Sequence, residues 1–113
     1  MVVILVRRFA RPDREREFLR VFAAQAPTDN PDFLGETLTR ITDGAALPAE
    51  VPRLMNLEPG SIDYLNVARW RSWEAFATQF SAQLAAPGGY DPEIETRRAE
   101  IVVLAEVAST PAG

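Results

Sequence analysis

The sequence contains no cysteine and no histidine. Without cysteine there can be no disulfides, thiolate nucleophiles or thiolate metal sites. Without histidine the commonest metal ligand and the commonest general base near neutral pH are both missing. Zinc hydrolase, triad protease and histidine-ligated haem chemistry are set aside on that ground. Lysine is absent too. All 12 basic side chains are arginine, which excludes Schiff-base chemistry on a lysine. Long hydrophobic runs are also missing. The opening MVVILVRRFA has only six apolar residues before its arginines, the reverse of a secretory signal. No stretch approaches a membrane span. The default expectation is a cytoplasmic protein that does not meet a membrane.

What is present is ordinary for a folded domain. The chain has 113 residues, 47% of them hydrophobic and 25% charged. It is expected to form one domain over residues 1–113, with a modest core that pairing with another subunit would help. The net charge is −4. Six arginines lie in the first twenty residues, but Asp13, Glu15 and Glu17 are interleaved with them. That pattern describes a solvated helix face with local ion pairs rather than a phosphate-binding patch, so no nucleic-acid partner is expected.

Residues 2–10 (VVILVRRFA) are rich in β-branched residues and predict a central strand. Pro12 and the acidic residues after it favour a helix start, and Phe18, Leu19, Phe22, Ala23 and Ala26 give that helix one apolar face over about 12–26. Residues 33–42 predict a second strand closed by Asp43-Gly44. Residues 62–71 (IDYLNVARWR) predict a third, with Ile62, Tyr64, Asn66, Ala68 and Trp70 on one side. Ser72 suits the N-cap of a second helix with Trp73, Phe76, Phe80 and Leu84 as its stripe, ended by Pro87-Gly88-Gly89. Asp91-Pro92-Glu93 could start a short helix. Residues 100–108 predict the last strand, and 109–113 a frayed tail.

Residues 43–61 are interrupted by Pro48, Pro52 and Pro59-Gly60, yet hold Leu47, Val51, Leu54, Met55 and Leu57. A segment this long is usually functional or carries its own turn of helix, expected here near 49–56. It suits either a lid over a pocket or an arm that clasps a partner subunit.

The order β-α-β-β-α-β is the α+β, ferredoxin-like pattern, a four-stranded antiparallel sheet with two helices on one face. Strands one and four are apolar on both parities, so the face without helices would stay greasy in a lone chain. A homodimer through that face is the expectation. Arg7, Arg8, Glu36, Arg40, Arg69 and Glu106 read as ion pairs at a sheet edge or dimer rim.

The stretch YLNVARWRSWEAF, Tyr64 to Phe76, resembles the central signature of the antibiotic biosynthesis monooxygenase-like family. The likeness extends to the opening strand with its arginine-rich helix, to Pro31–Leu38 and to the final strand. It implies a dimeric α+β barrel of two ferredoxin-like subunits, each with a pocket between sheet and helices. Asn66 and Trp70 match, in type and spacing, a pair that faces this pocket in the best-understood members. Those members oxidise phenolic polycyclic substrates with molecular oxygen and no metal, flavin or haem. A branch that degrades haem uses a histidine on the second helix, which this sequence lacks. Phe76 stands where some oxygenases carry a tyrosine.

The candidate catalytic residues are therefore Asn66, Trp70 and Tyr64, and the candidate substrate contacts Phe22, Phe76, Phe80 and Met55, with no cofactor. Each has a plain alternative. Asn66 could make a structural hydrogen bond, Trp70 and the phenylalanines could be core, and Tyr90 could be a surface or gate residue. The expected function is cofactor-independent oxidation of an aromatic, polyketide-type small molecule. The alternative is a non-catalytic dimeric protein that binds a small aromatic ligand.

Overall fold

The computed structural model describes residues 1–85 and 88–113. Pro87, expected to help end the second helix, lies outside them. The strands are β1 (Val2–Ala10), β2 (Phe33–Arg40), β3 (Ile62–Trp70) and β4 (Glu100–Leu104). The helices are α1 (Glu15–Ala24), α2 (Trp73–Gln79) and α3 (Ser81–Ala85). The strands form one antiparallel sheet in the order β2-β3-β1-β4. That is the ferredoxin-like arrangement, with the first and third strands central.

Several boundaries differ from the expected ones. The first helix opens as a 3-10 turn at Pro12–Arg14, because Pro12 fixes the entry but brings no N–H. The second helix is broken at Phe80, which leaves helical geometry at φ −110° while its ring stays against Trp70 and Phe76. Ser72 caps α2 as expected, its hydroxyl accepting from the Ala75 N–H at 3.2 Å. No regular helix forms at 91–93; Asp91 instead accepts the Glu93 N–H through its side chain, an Asx turn. The last strand stops at Leu104 rather than 108. Leu104 pairs with Val3, so β1 has only Val2 left to offer a longer ladder.

Register assigns the two faces. Val2, Ile4, Val6, Arg8 and Ala10 of β1 lie opposite Trp70, Ala68, Asn66, Tyr64 and Ile62 of β3, and this side carries the helices. β2 departs from simple alternation. A bulge between Phe33 and Glu36 is centred on Gly35, whose φ of 114° an L side chain rarely adopts. It turns Phe33, Glu36 and Leu38 to the helix side together, opposite Trp70, Ala68 and Asn66. Strict alternation would have put Phe33 and Glu36 on opposite faces.

The core under the helices has two separate parts. One packs Ile4, Ala68, Trp70 and Phe76 together; the other packs Ala10, Phe18, Tyr64 and Ile94. Between them on the sheet lies the row of Val6 and Asn66. The opposite face has no cover over much of its area. Val102 and Leu104 are exposed there, as is Leu34, and Val3, Leu5, Leu65 and Val67 are half-exposed. One end of that face is closed by the 43–61 segment. Arg7 donates to the Asn56 carbonyl and Arg97 to Glu58, and both guanidinium groups lie over the Phe9 ring, which is buried. The short helix expected in that segment is a 3-10 turn at Pro52–Leu54. Among the described residues no helix is long and apolar enough to cross a membrane.

Candidate functional site

The gap between the two core parts opens into a cleft of about 860 Å³. Its floor is the helix side of the sheet, where Val6, Glu36, Asn66, Ala68 and Trp70 meet. α1 contributes Phe18 and Phe22 on one flank, and Phe76 and Phe80 stand on the other. The chain from Gly88 to Ile101 closes the β4 side and carries Tyr90, Ile94 and Glu95.

The aromatic wall is ordered by mutual packing. Phe76 and Phe80 meet the Trp70 indole edge-on, with centroids at 5.8 and 6.1 Å, and Phe33 lies 5.3 Å from it. Such geometry satisfies the ring quadrupoles and fixes the indole plane. Trp70 is only 1% exposed, so it belongs to the core and to the cleft wall at once.

Asn66 supplies the polar centre. Its Nδ2 donates to Glu36 Oε2 at 2.8 Å, while its Oδ1 is buried with no partner. An unpaired buried carbonyl oxygen costs about 1–3 kcal/mol, so this atom stands out from the satisfied groups around it. On the other side of the floor, Arg8 is held by Glu95 through two bonds, Nε to Oε1 at 2.8 Å and Nη2 to Oε2 at 3.0 Å. Its guanidinium also lies 5.2 Å from the Phe18 centroid. The bidentate bond and the stacking lock Arg8 as a wall.

Asn66, Trp70, Phe22, Phe76 and Phe80 therefore come together in one cleft. Tyr64 and Met55 do not line it. Tyr64 stacks on Phe18 at 5.1 Å within the α1 core. Burial, and then the neighbouring Glu15 carboxylate, raise its pKa above the ordinary 10.0, with Arg40 pulling weakly the other way. The physical reason is register: Tyr64 sits opposite Arg8 under α1, two ladder pairs beyond Asn66, where the helix closes over the sheet. Met55 lies instead beside Gly44 and Pro52, within the segment tied to the other sheet face. The lid role for 43–61 has no footing in this arrangement.

Tyr64 also gives a measurable pH signature. A raised phenol pKa means that the native state keeps its proton while the unfolded chain releases one. Its contribution to stability is present below about pH 10 and is lost as pH rises through the higher native value. Denaturant titrations above pH 9.5 should show Tyr64→Phe losing stability less steeply with pH than the wild type. Parallel curves would show that Tyr64 titrates normally.

Glu36 and Arg8 lie at the site although both read from the sequence as ion pairs at a sheet edge or dimer rim. Gly35 inside a strand was the available signal, since a glycine there often marks a bulge that re-aims its neighbours.

No protein-family model matches the sequence, and no curated protein matches it. Solved structures do. Rv0793 from Mycobacterium tuberculosis aligns over 97% of this chain and 98% of its own, at 20% identity and a TM-score of 0.63. SnoaB, a cofactor-independent oxygenase from Streptomyces nogalater, aligns over 98% of both chains at 22% identity and a TM-score of 0.57. The fold is antibiotic biosynthesis monooxygenase-like. The heme-degrader MhuD from Mycobacterium tuberculosis, which has two hemes bound in its active site, shares this fold. It aligns over 96% of this chain and 99% of its own, at 20% identity and a TM-score of 0.53. The structures similar to this chain thus include a cofactor-independent oxygenase and a heme-degrader, and the chemistry of this chain has to be argued from its own side chains.

Proposed function

We propose that the protein binds an aromatic, polyketide-type small molecule in the cleft and oxidises it with molecular oxygen, without metal, flavin or haem, as a homodimer. The observation that carries this is the joint placement of an aromatic wall and a lone amide: Trp70, Phe76 and Phe80 flank a floor on which Asn66 Oδ1 is buried and unpaired. Flat walls and one convergent polar group are what an aromatic ligand with one reactive oxygen requires.

In such a reaction the substrate supplies the electrons. For an anthrone-type ring, a methylene carbon becomes a ketone. One atom of oxygen forms the new carbonyl, the other leaves as water with both methylene hydrogens, and the substrate donates all four electrons. The protein contributes orientation between the rings, exclusion of water and hydrogen bonding at the reacting oxygen. Glu36, in contact with Asn66, adds a carboxylate to the cleft lining. SnoaB is a cofactor-independent oxygenase of this fold, which supports the same reading here.

The second copy is proposed to cover the sheet face opposite the cleft. Leu34, Leu5, Val67, Val102 and Leu104 give it an apolar centre.

Oxygen uptake with hydroxyanthrone-type substrates tests the proposal. Asn66→Ala and Trp70→Phe are expected to slow uptake at least tenfold, in line with loss of one positioned group. Variants that turn over as fast as the wild type would refute the site assignment. A second reading, a binding protein without turnover, is favoured by one observation: Tyr64, one of the three candidate catalytic residues, is packed against Phe18 away from the cleft. A ligand that raises the melting temperature and is recovered unchanged would decide for it.

A further inference from the structure

β4 is unlike the other strands. It is an edge strand, paired to β1 on one side and free on the other, and all five of its residues are exposed. Register puts Ile101 and Val103 beside Val6 and Ile4 on the helix side, yet neither part of the core under the helices includes a β4 residue. Ile101 is 37% exposed there and Val103 46%, while Val102 and Leu104 are exposed on the other face. An apolar edge with unpaired N–H and C=O groups is a template for another strand. The opposite edge, β2, is protected against that: it is bulged next to Gly35 and carries Thr37, Thr39 and Arg40. The chain beyond β4 has the reverse need. Residues 105–108 (AEVA) keep a strand-like sequence but run past the end of β1 and lie outside any strand. Val107 is 96% exposed, the highest value among the large apolar side chains of the described residues.

We infer that residues 105–108 of each copy pair antiparallel with Glu100–Val103 of a second copy, about a two-fold axis at Leu104. The free edge of one chain and the unpaired tail of the other then satisfy each other twice, as a two-fold interface requires. In that register Val107 lies opposite Ile101 of the other copy and Ala105 opposite Val103, so the tail covers the apolar side chains that no helix reaches. Glu106 lies opposite Val102 on the other face. Ile101 lines the cleft, so the partner's Val107 becomes part of the wall on its β4 side. An axis at this edge that crosses the strands also lets the two helix-free faces turn toward each other. The inference rests on the second copy proposed above, and adds to it the edge that joins the sheets and the residue the partner brings to the cleft.

The chain has no cysteine, so introduced thiols report the register. Leu104→Cys places two sulfurs on the axis, where the Cα atoms of an antiparallel pair lie about 4.5–5.5 Å apart, within disulfide reach. Mild oxidation should give a covalent dimer. Val102→Cys combined with Glu106→Cys should do so as well. Neither alone should, because like positions are then roughly 13 Å apart along the strand. Glu106→Pro combined with Val107→Pro removes tail N–H groups of both parities in a stretch without secondary structure of its own. It should raise the dimer dissociation constant about tenfold or more in sedimentation and leave the circular dichroism of the single chain unchanged. The inference is overturned if Leu104→Cys fails to cross-link in a chain that sediments as a dimer. It is equally overturned if Val102→Cys or Glu106→Cys alone links as readily as the pair, or if the proline pair leaves the dissociation constant unchanged. A dimer that Leu5→Asp dissociates but Leu104→Cys does not link overturns this inference and leaves the sheet-face reading standing. A wild-type chain that sediments at 12.5 kDa overturns both.

Discussion

Replacing Trp70 by alanine is expected to remove about 3–5 kcal/mol of folding stability, the usual range for deleting a buried aromatic side chain. The indole is 1% exposed and touches three other rings, so its loss leaves a void that Phe33, Phe76 and Phe80 line on three sides. Those rings come from a strand and from the α2 end of the helix layer, and they cannot all move inward together. For a chain of this size the melting temperature should fall by roughly 10–20 °C. Trp70→Phe keeps an aromatic body and should cost less than half as much, which separates packing from any role in ligand contact. A fall of less than about 1 kcal/mol for the alanine variant would mean that the site collapses, and that the α2 core does not rest on this residue.

The same residue shows how much could be read before any coordinates. Trp70, Ala68 and Tyr64 share the helix side of β3 because strand alternation is strict there, and the β-α-β-β-α-β order itself makes the first and third strands central. Asn66 and Trp70 fall in one cleft with Phe76 and Phe80 for the same reason, since a capped helix after β3 returns its stripe over that strand. Tyr64 has the right parity and still misses the cleft. Parity chooses the face of a sheet, whereas position along the strand chooses which helix covers it, and Tyr64 lies under α1. Met55 was misassigned because a proline-broken apolar segment carries no period to say which face it meets. The arginines that hold it, Arg7 and Arg97, are 90 positions apart in the chain. Glu36 was hidden by a single residue. Gly35 adds one position to β2, and a two-residue period read across it sends every side chain to the wrong face on one side of the bulge.

The largest effect on assembly is expected from Leu5→Asp. Leu5 lies on the central strand β1, opposite Val67 on one side and Val102 on the other, so it occupies the middle of the sheet face that no helix covers. The 43–61 segment has already closed the Phe9 end through Arg7 and Arg97, which confines the proposed partner to the apolar part around Leu5. Burying each large side chain there contributes about 1.5–3 kcal/mol, and five or six of them on each copy exceed what a micromolar dimer needs. An aspartate at the centre would have to be desolvated without a cation on the neighbouring Val67 and Val102 positions, at a cost of several kcal/mol per copy. The wild type should therefore sediment at twice the 12.5 kDa chain mass at micromolar concentration, and Leu5→Asp at the single mass. Its circular dichroism should be unchanged, because Leu5 is already half-exposed in the lone chain and the charge can reach water once the partner leaves. Leu5→Ala, which removes area but adds no charge, should give a dissociation constant between the two. A wild-type chain that sediments at 12.5 kDa under these conditions would show that the apolar face is covered by something other than a second copy.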